Sequence, residues 1–210
     1  MTTISPIEIF IALFIGMGPI KVLLVYIAMT EGMSKEVKRQ VAKRTVLVAG
    51  AVGLGLFLLG AILQAILHFS IGSLTIFGGL ILLVLALNMV IGGQKTATEG
   101  QGEVDPMSIA VSPLAIPLTL NPVGVVILMV ASVEVQDLGL GIAMIVMILV
   151  IMGIDLVVLY GSDSIAKHLS HATVELLERV LGILLGALAV ELIVTGLAEL
   201  GIITLTAGGH

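Results

Sequence analysis

Two short stretches hold most of the residues in this chain that could do chemistry, Gly16-Met17-Gly18-Pro19-Ile20-Lys21 and Pro113-Leu114-Ala115-Ile116-Pro117-Leu118-Thr119-Leu120-Asn121-Pro122-Val123-Gly124. Both lie inside long apolar runs. Proline removes a backbone donor, cannot continue the helical ladder and often opens a new helical segment. Pro19 and Pro122 therefore predict broken helices whose second halves begin deep in an apolar medium, with partial positive charge that attracts a carboxylate. Backbone around Pro19 and Pro122, including Gly18 and Gly124, would offer groups to a substrate carboxylate and amine, and Thr119 and Asn121 add a hydroxyl and an amide. Lys21 adds a full positive charge to an already positive helix end, so it calls for an anion: a substrate carboxylate, Asp155 or Glu191. A permanent Lys21–Asp155 ion pair that only joins helices is the plainer alternative. Glu191 is the favoured proton carrier, because a carboxyl in a low-dielectric interior can exchange a proton near neutral pH; the alternative places it at a hydrated helix end. Asn88 reads as interhelical glue worth about 1 kcal/mol or less.

The elements that must hold these residues follow from composition. Of 210 residues, 59% are hydrophobic and 11% charged, and the mean hydropathy is +1.26, a balance that excludes a water-soluble domain. There is no cysteine, which excludes disulfides and thiol chemistry. No basic cluster with interleaved aromatics points to nucleic acid. His168 and His171 lack a third ligand, and no nucleophile–base pair is visible, so neither a metal centre nor an enzyme is expected. A spanning helix needs about 20 apolar residues, and six runs qualify, at about 4–30, 44–67, 71–92, 107–132, 138–160 and 176–200. The stretch 31–43 reads as a connection, and the polar segment 93–106 as a linker between two halves, 1–92 and 107–210. Eight of the nine Lys and Arg residues fall in alternate connections, at 35–44, 95, 167 and 179. The positive-inside rule then places those connections in the cytoplasm and both termini outside it.

Sliding the second half back by 103 residues superposes Pro19 on Pro122, Glu31 on Glu134, His68 on His171, Gly79 on Gly182 and Asn88 on Glu191. Three spans in each half would insert the halves in opposite directions, the inverted repeat of many secondary transporters. The expected fold is an all-α membrane protein of six transmembrane helices, a 3+3 inverted-topology repeat with broken first and fourth helices.

The segments 113–117 and 121–124, the run Phe77-Gly78-Gly79-Leu80-Ile81-Leu82-Leu83-Val84-Leu85-Ala86 and the Gly18-Pro19 break resemble the MarC family of integral membrane proteins. The resemblance spans essentially the whole chain. It implies three plus three inverted helices and, for some members, transport of small neutral amino acids such as glycine and alanine. The family's first break commonly reads Asp-Pro-x-Gly, whereas here Gly18 replaces the acid and Lys21 the glycine. The second break often reads Gly-Pro-Gly, against Asn121-Pro122-Val123 here. Losing the acid and gaining a lysine in the same break points away from sodium coupling and leaves proton coupling open.

The expected function is alternating-access transport of a glycine- or alanine-like zwitterion by a multi-pass cell-membrane protein with no cofactor, surrounded by lipid and compatible with a homo-oligomer. Gly18, Pro19, Lys21, Thr119, Asn121, Pro122 and Gly124 would bind substrate. Lys21, Asp155, Glu191 and Asn88 would balance or couple charge. A channel-like pore and a non-transporting scaffold or regulatory protein are the alternatives.

Overall fold

The computed structural model describes residues 6–91, 105–135, 137–166 and 171–204, and every described segment of regular structure is helical. The linker expected at 93–106 falls almost wholly outside the described residues, as do Lys95, Lys167 and His168.

The first run divides at Gly18. Helix α1 (Pro6–Met17) ends there, and α2 (Pro19–Met29) begins with its proline in the first turn, where a missing N–H costs nothing. Gly18 is extended (φ −87°, ψ 168°), yet its N–H still donates to Phe14 O at 2.7 Å, which keeps the two halves in one span over Ile9–Met29. Thr30 ends α2, its hydroxyl returning to Tyr26 O at 2.7 Å.

Helix α3 (Lys35–Leu67) corrects the reading of 31–43 as a connection. Ser34 accepts a hydrogen bond from Val37 N, and Glu36 sits in the first turn, so the basic stretch forms the opening turns of a 33-residue helix. At 1.5 Å per residue α3 is about 50 Å long, well beyond a hydrocarbon core of about 30 Å. Its charged end therefore stands clear of the membrane. After α4 (Ile71–Ile91) comes the second proline-interrupted run. Helix α5 (Pro106–Ile109) leads into an irregular π-wound segment, Ala110–Thr119, and then into α6 (Pro122–Glu134), with a bend of 67°. The chain closes with α7 (Leu138–Tyr160), the short α8 (Ser162–Ala166) and α9 (His171–Glu199). Among the described residues five segments are long and apolar enough to span a membrane, six if the bent pair counts as one span.

These elements form two layers. A main core gathers side chains from α1, α2, α3, the π-wound segment, α6 and α7. Beside it α4 and α9 pack on each other around Leu82, Ala86, Leu185 and Ala189. That pair is antiparallel and zipped by glycine. A methyl on Gly72 would stand 2.8 Å from Gly196 O, one on Gly79 would stand 2.8 Å from Ala189 O, and one on Gly182 would stand 3.1 Å from Ala86 O. The pair reaches the main core where α4 meets α6, Gly78 lying so close to Pro122 that a methyl there would come within 2.9 Å of the proline ring.

Candidate functional site

The two broken spans cross each other at their breaks. Pro19 has no N–H to give, so the carbonyl four residues before it, Ile15 O, loses its helical donor. Asn121 Nδ2 donates to that oxygen at 3.1 Å, and Asn121 N donates to Gly16 O at 3.1 Å. The same side chain's Oδ1 accepts from Gly124 N at 3.1 Å and so caps α6. One residue thus repairs the first break and starts the helix after the second. The contact demands bare backbone. A methyl on Gly16 would lie 2.5 Å from Gly124 Cα, and one on Gly124 would lie 2.6 Å from Gly16 O.

Asn121 has nearly the same backbone angles as Gly18 (φ −86°, ψ 168°), but the two residues bond differently. Gly18 N–H stays within its own span, and a methyl there would collide with Phe14 O. Asn121 N–H leaves its span, and Leu120 N falls back five residues to Ala115 O at 2.9 Å. Thr119 hydroxyl likewise donates to Leu114 O at 2.8 Å. The second break consequently bends its run by 67°, whereas the first stays within a single span, Ile9–Met29.

The helix starts differ too. Asn121 caps α6, whereas Gly18 offers α2 no side chain, so no side chain caps the start of α2. Of the expected site residues, the structure brings Gly18, Pro19, Thr119, Asn121, Pro122 and Gly124 together as a buried group around this crossing. The Lys21 backbone lies in the first turn of α2, and its side chain is outside what the structure describes. Asp155 is fully buried on α7, and neither carboxyl oxygen has a hydrogen-bond partner among the described residues. Asn88 and Glu191 are not brought to the crossing. Both are exposed, on the outward faces of α4 and α9.

Beside the second break an apolar cavity of about 200 Å³ opens between α4 and α6, lined by residues such as Phe77, Ile81, Pro117 and Pro122. None of its lining side chains offers a hydrogen bond, so in this conformation it has no side-chain partner for a zwitterion. At the end of the bundle where α3 begins, Lys38 Nζ meets Asp163 Oδ1 at 2.9 Å, Tyr26 hydroxyl donates to Lys38 O at 2.6 Å, and the Arg39 guanidinium lies 5.9 Å from the centre of the Tyr160 ring. Sequence reasoning missed Ile15 and gave Gly16, within the first stretch, no role of its own, because what they contribute is backbone. The signal available was the position four residues before Pro19.

A helical bundle with two interrupted spans crossing in its interior is the build of a polytopic membrane protein. The family described as "MarC family integral membrane protein" matches residues 4–201, and the chain belongs to that family. It is 33% identical over 193 residues to a UPF0056 membrane protein of Methanocaldococcus jannaschii, covering 90% of this chain and 93% of that one. A UPF0056 membrane protein of Archaeoglobus fulgidus is 28% identical, covering 90% of this chain and 91% of its own. One of Escherichia coli is also 28% identical, with 90% of each chain covered. No solved structure gives a significant match.

Proposed function

We propose that the chain is a secondary transporter of small neutral amino acids, working by alternating access around the crossing of its two broken spans. The observation that carries this reading is that crossing. Each half supplies a helix that stops and restarts within the bundle, and the end of α1 meets the start of α6 backbone to backbone at Gly16 and Gly124. Irregular backbone at membrane depth is tolerated where it is buried in protein or lines a cavity, and in transporters such places hold substrate. The asymmetry supports one orientation of the ligand. Asn121 already occupies the start of α6, so a substrate carboxylate goes to the uncapped start of α2, with Lys21 beside it. Thr119, Gly124 and the backbone near Pro122 would complete the site. Asp155, buried and without a hydrogen-bond partner among the described residues, is the group available to balance or couple charge.

The pattern of contacts supports reading the halves as an inverted repeat. Gly79 meets Ala189 and Ile193, and Gly182 meets Ala86 and Val90, so each contact reappears when its residues are shifted by 103. The packed pair of residues Leu82 and Ala86 shifts onto Leu185 and Ala189. The outward residues Phe77, Leu80, Ile81, Leu87 and Asn88 shift onto Val180, Ile183, Leu184, Val190 and Glu191, all outward as well.

The test is uptake of radiolabelled glycine and alanine into proteoliposomes, with and without imposed proton and sodium gradients. Saturable accumulation is expected, lost or uncoupled in Lys21→Ala while the variant stays folded. Flux that neither saturates nor accumulates would leave a pore. An absence of flux or binding would remove the transport reading.

A further inference from the structure

Glu191 sits where an isolated chain would place a carboxyl in lipid. It lies in the span Arg179–Glu199, about 12 Å from the outer end and about 18 Å from the other at 1.5 Å per residue. Packing gives the same depth independently. Gly79 abuts Ala189 and Ile193, so Glu191 is level with a residue eight positions inside α4 from Ile71. Yet Glu191 is exposed, and no described residue bonds to it. Its face of α9 is otherwise mostly apolar, with Val180, Ile183, Leu184 and Val190 outward and the half-buried Thr195 one turn on. An ionisable group at mid-depth facing hydrocarbon is costly, and such groups face protein or water.

Whatever covers this face must be apolar along its length and bring one hydrogen-bonding group to that depth. Arg179 is twelve residues away along α9, and the basic residues of α3 cluster at the end of the bundle. Asn88 is three residues from the far end of α4, about 13 Å deeper than Gly79. None of these from a neighbouring copy in the same orientation reaches Glu191. Glu191 itself does. Rotating a second copy about an axis along the membrane normal returns the same apolar face, with its carboxyl at the same depth. A carboxyl that holds its proton both donates and accepts, so two facing carboxyls can satisfy each other. Ala187, outward and one turn away, leaves room for the close approach that small residues permit.

We propose that the outward face of α9 is a homodimer interface in the membrane, centred on Glu191 paired with Glu191 of a second copy.

The native chain has no cysteine, so single introduced cysteines report on this directly. In liposomes, mild oxidation of Ala187→Cys is expected to give a disulfide-linked dimer. Val150→Cys, outward on α7, is expected to stay monomeric. Association is then followed by energy transfer between labelled copies as lipid dilutes the protein. Glu191→Leu is expected to dissociate at roughly tenfold higher protein-to-lipid ratio than the native chain. Glu191→Gln, whose amide also pairs with itself, is expected to remain close to native. Circular dichroism and elution profile establish that each variant is folded. Equal cross-linking at 150 and 187, a native chain monomeric at every dilution, or unchanged association in Glu191→Leu would overturn the interface. A Gln variant as dissociated as the Leu variant would overturn the hydrogen-bonded pairing at its centre.

Discussion

Asn121 spends its donors and its acceptor on backbone alone: on Ile15 O, on Gly16 O and on Gly124 N. Removing the side chain should therefore cost on two counts, about 1 kcal/mol for the lost cap and about 0.5–1.5 kcal/mol for the lost part-buried hydrogen bond to Ile15 O. Asn121→Ala is expected to lower the melting temperature in detergent, and Asn121→Asp, which keeps the cap but not the donor, to fall between the two. Equal melting of all three proteins would mean that the bond to Ile15 is replaceable. Asp155 argues in the opposite direction. A buried carboxyl without a hydrogen bond is costly, and apolar replacements of buried charge are often neutral or stabilising. Asp155→Leu is expected to melt at or above the native temperature while losing transport. A large fall in melting temperature would show that the carboxyl has a stabilising partner. The need for a partner at the breaks was legible from Pro19, Pro122 and Lys21, since proline arithmetic and the cost of a membrane lysine require one. That Asn121 would serve backbone was not, because amide type says nothing about which carbonyl a crossing chain brings within reach.

At the scale of elements, the crossing depends on glycine at two points and tolerates alanine at others. Gly16→Ala and Gly124→Ala each drive a methyl into facing backbone, which cannot move as a side chain can. Each is expected to destabilise by about 1–3 kcal/mol or more. Gly55→Ala and Gly153→Ala, with nothing within 4 Å, are the controls and should be neutral or slightly stabilising by helix propensity. Thermal unfolding of the four variants decides it, and a uniform response would mean that the breaks are not held in contact. Hydropathy located the spans but not where helices begin. Charge made 31–43 look like a connection, whereas Ser34 as a cap and the length of α3 carry the helix out past the bilayer. The Lys38–Asp163 bridge then joins the start of α3 to α8. It is partly exposed, so single neutralising substitutions should change stability by about 0–1 kcal/mol. The Lys38→Asp, Asp163→Lys exchange should recover whatever each substitution loses alone. Failure to recover would leave the pair as two independent surface charges.

For the whole molecule, the arrangement of α4 and α9 is the feature that a sequence shift could suggest but not build. Matches of glycine and alanine in so biased a composition carry little weight by themselves. The reciprocity of the contacts carries much more, because Gly79 and Gly182 each meet the residues that correspond to the other's partners. If the halves are inverted, corresponding positions must lie on opposite sides of the membrane. Glu31, just after α2, and Glu134, at the end of α6, are such positions, and both are exposed. Helix α7, 23 residues or about 34 Å long, separates Glu134 from Gly161, which leads into α8. Through the Lys38–Asp163 bridge, α8 shares its end of the bundle with the basic start of α3, the end that the positive-inside rule places in the cytoplasm. Single cysteines at 31 and 161 are therefore expected to react with a membrane-impermeant maleimide only after cells are opened, and a cysteine at 134 to react in intact cells. Labelling of 31 and 134 from the same side would make any repeat a parallel one and discard alternating access built on inversion. Reversal of all three sites would keep the inversion and overturn only the orientation.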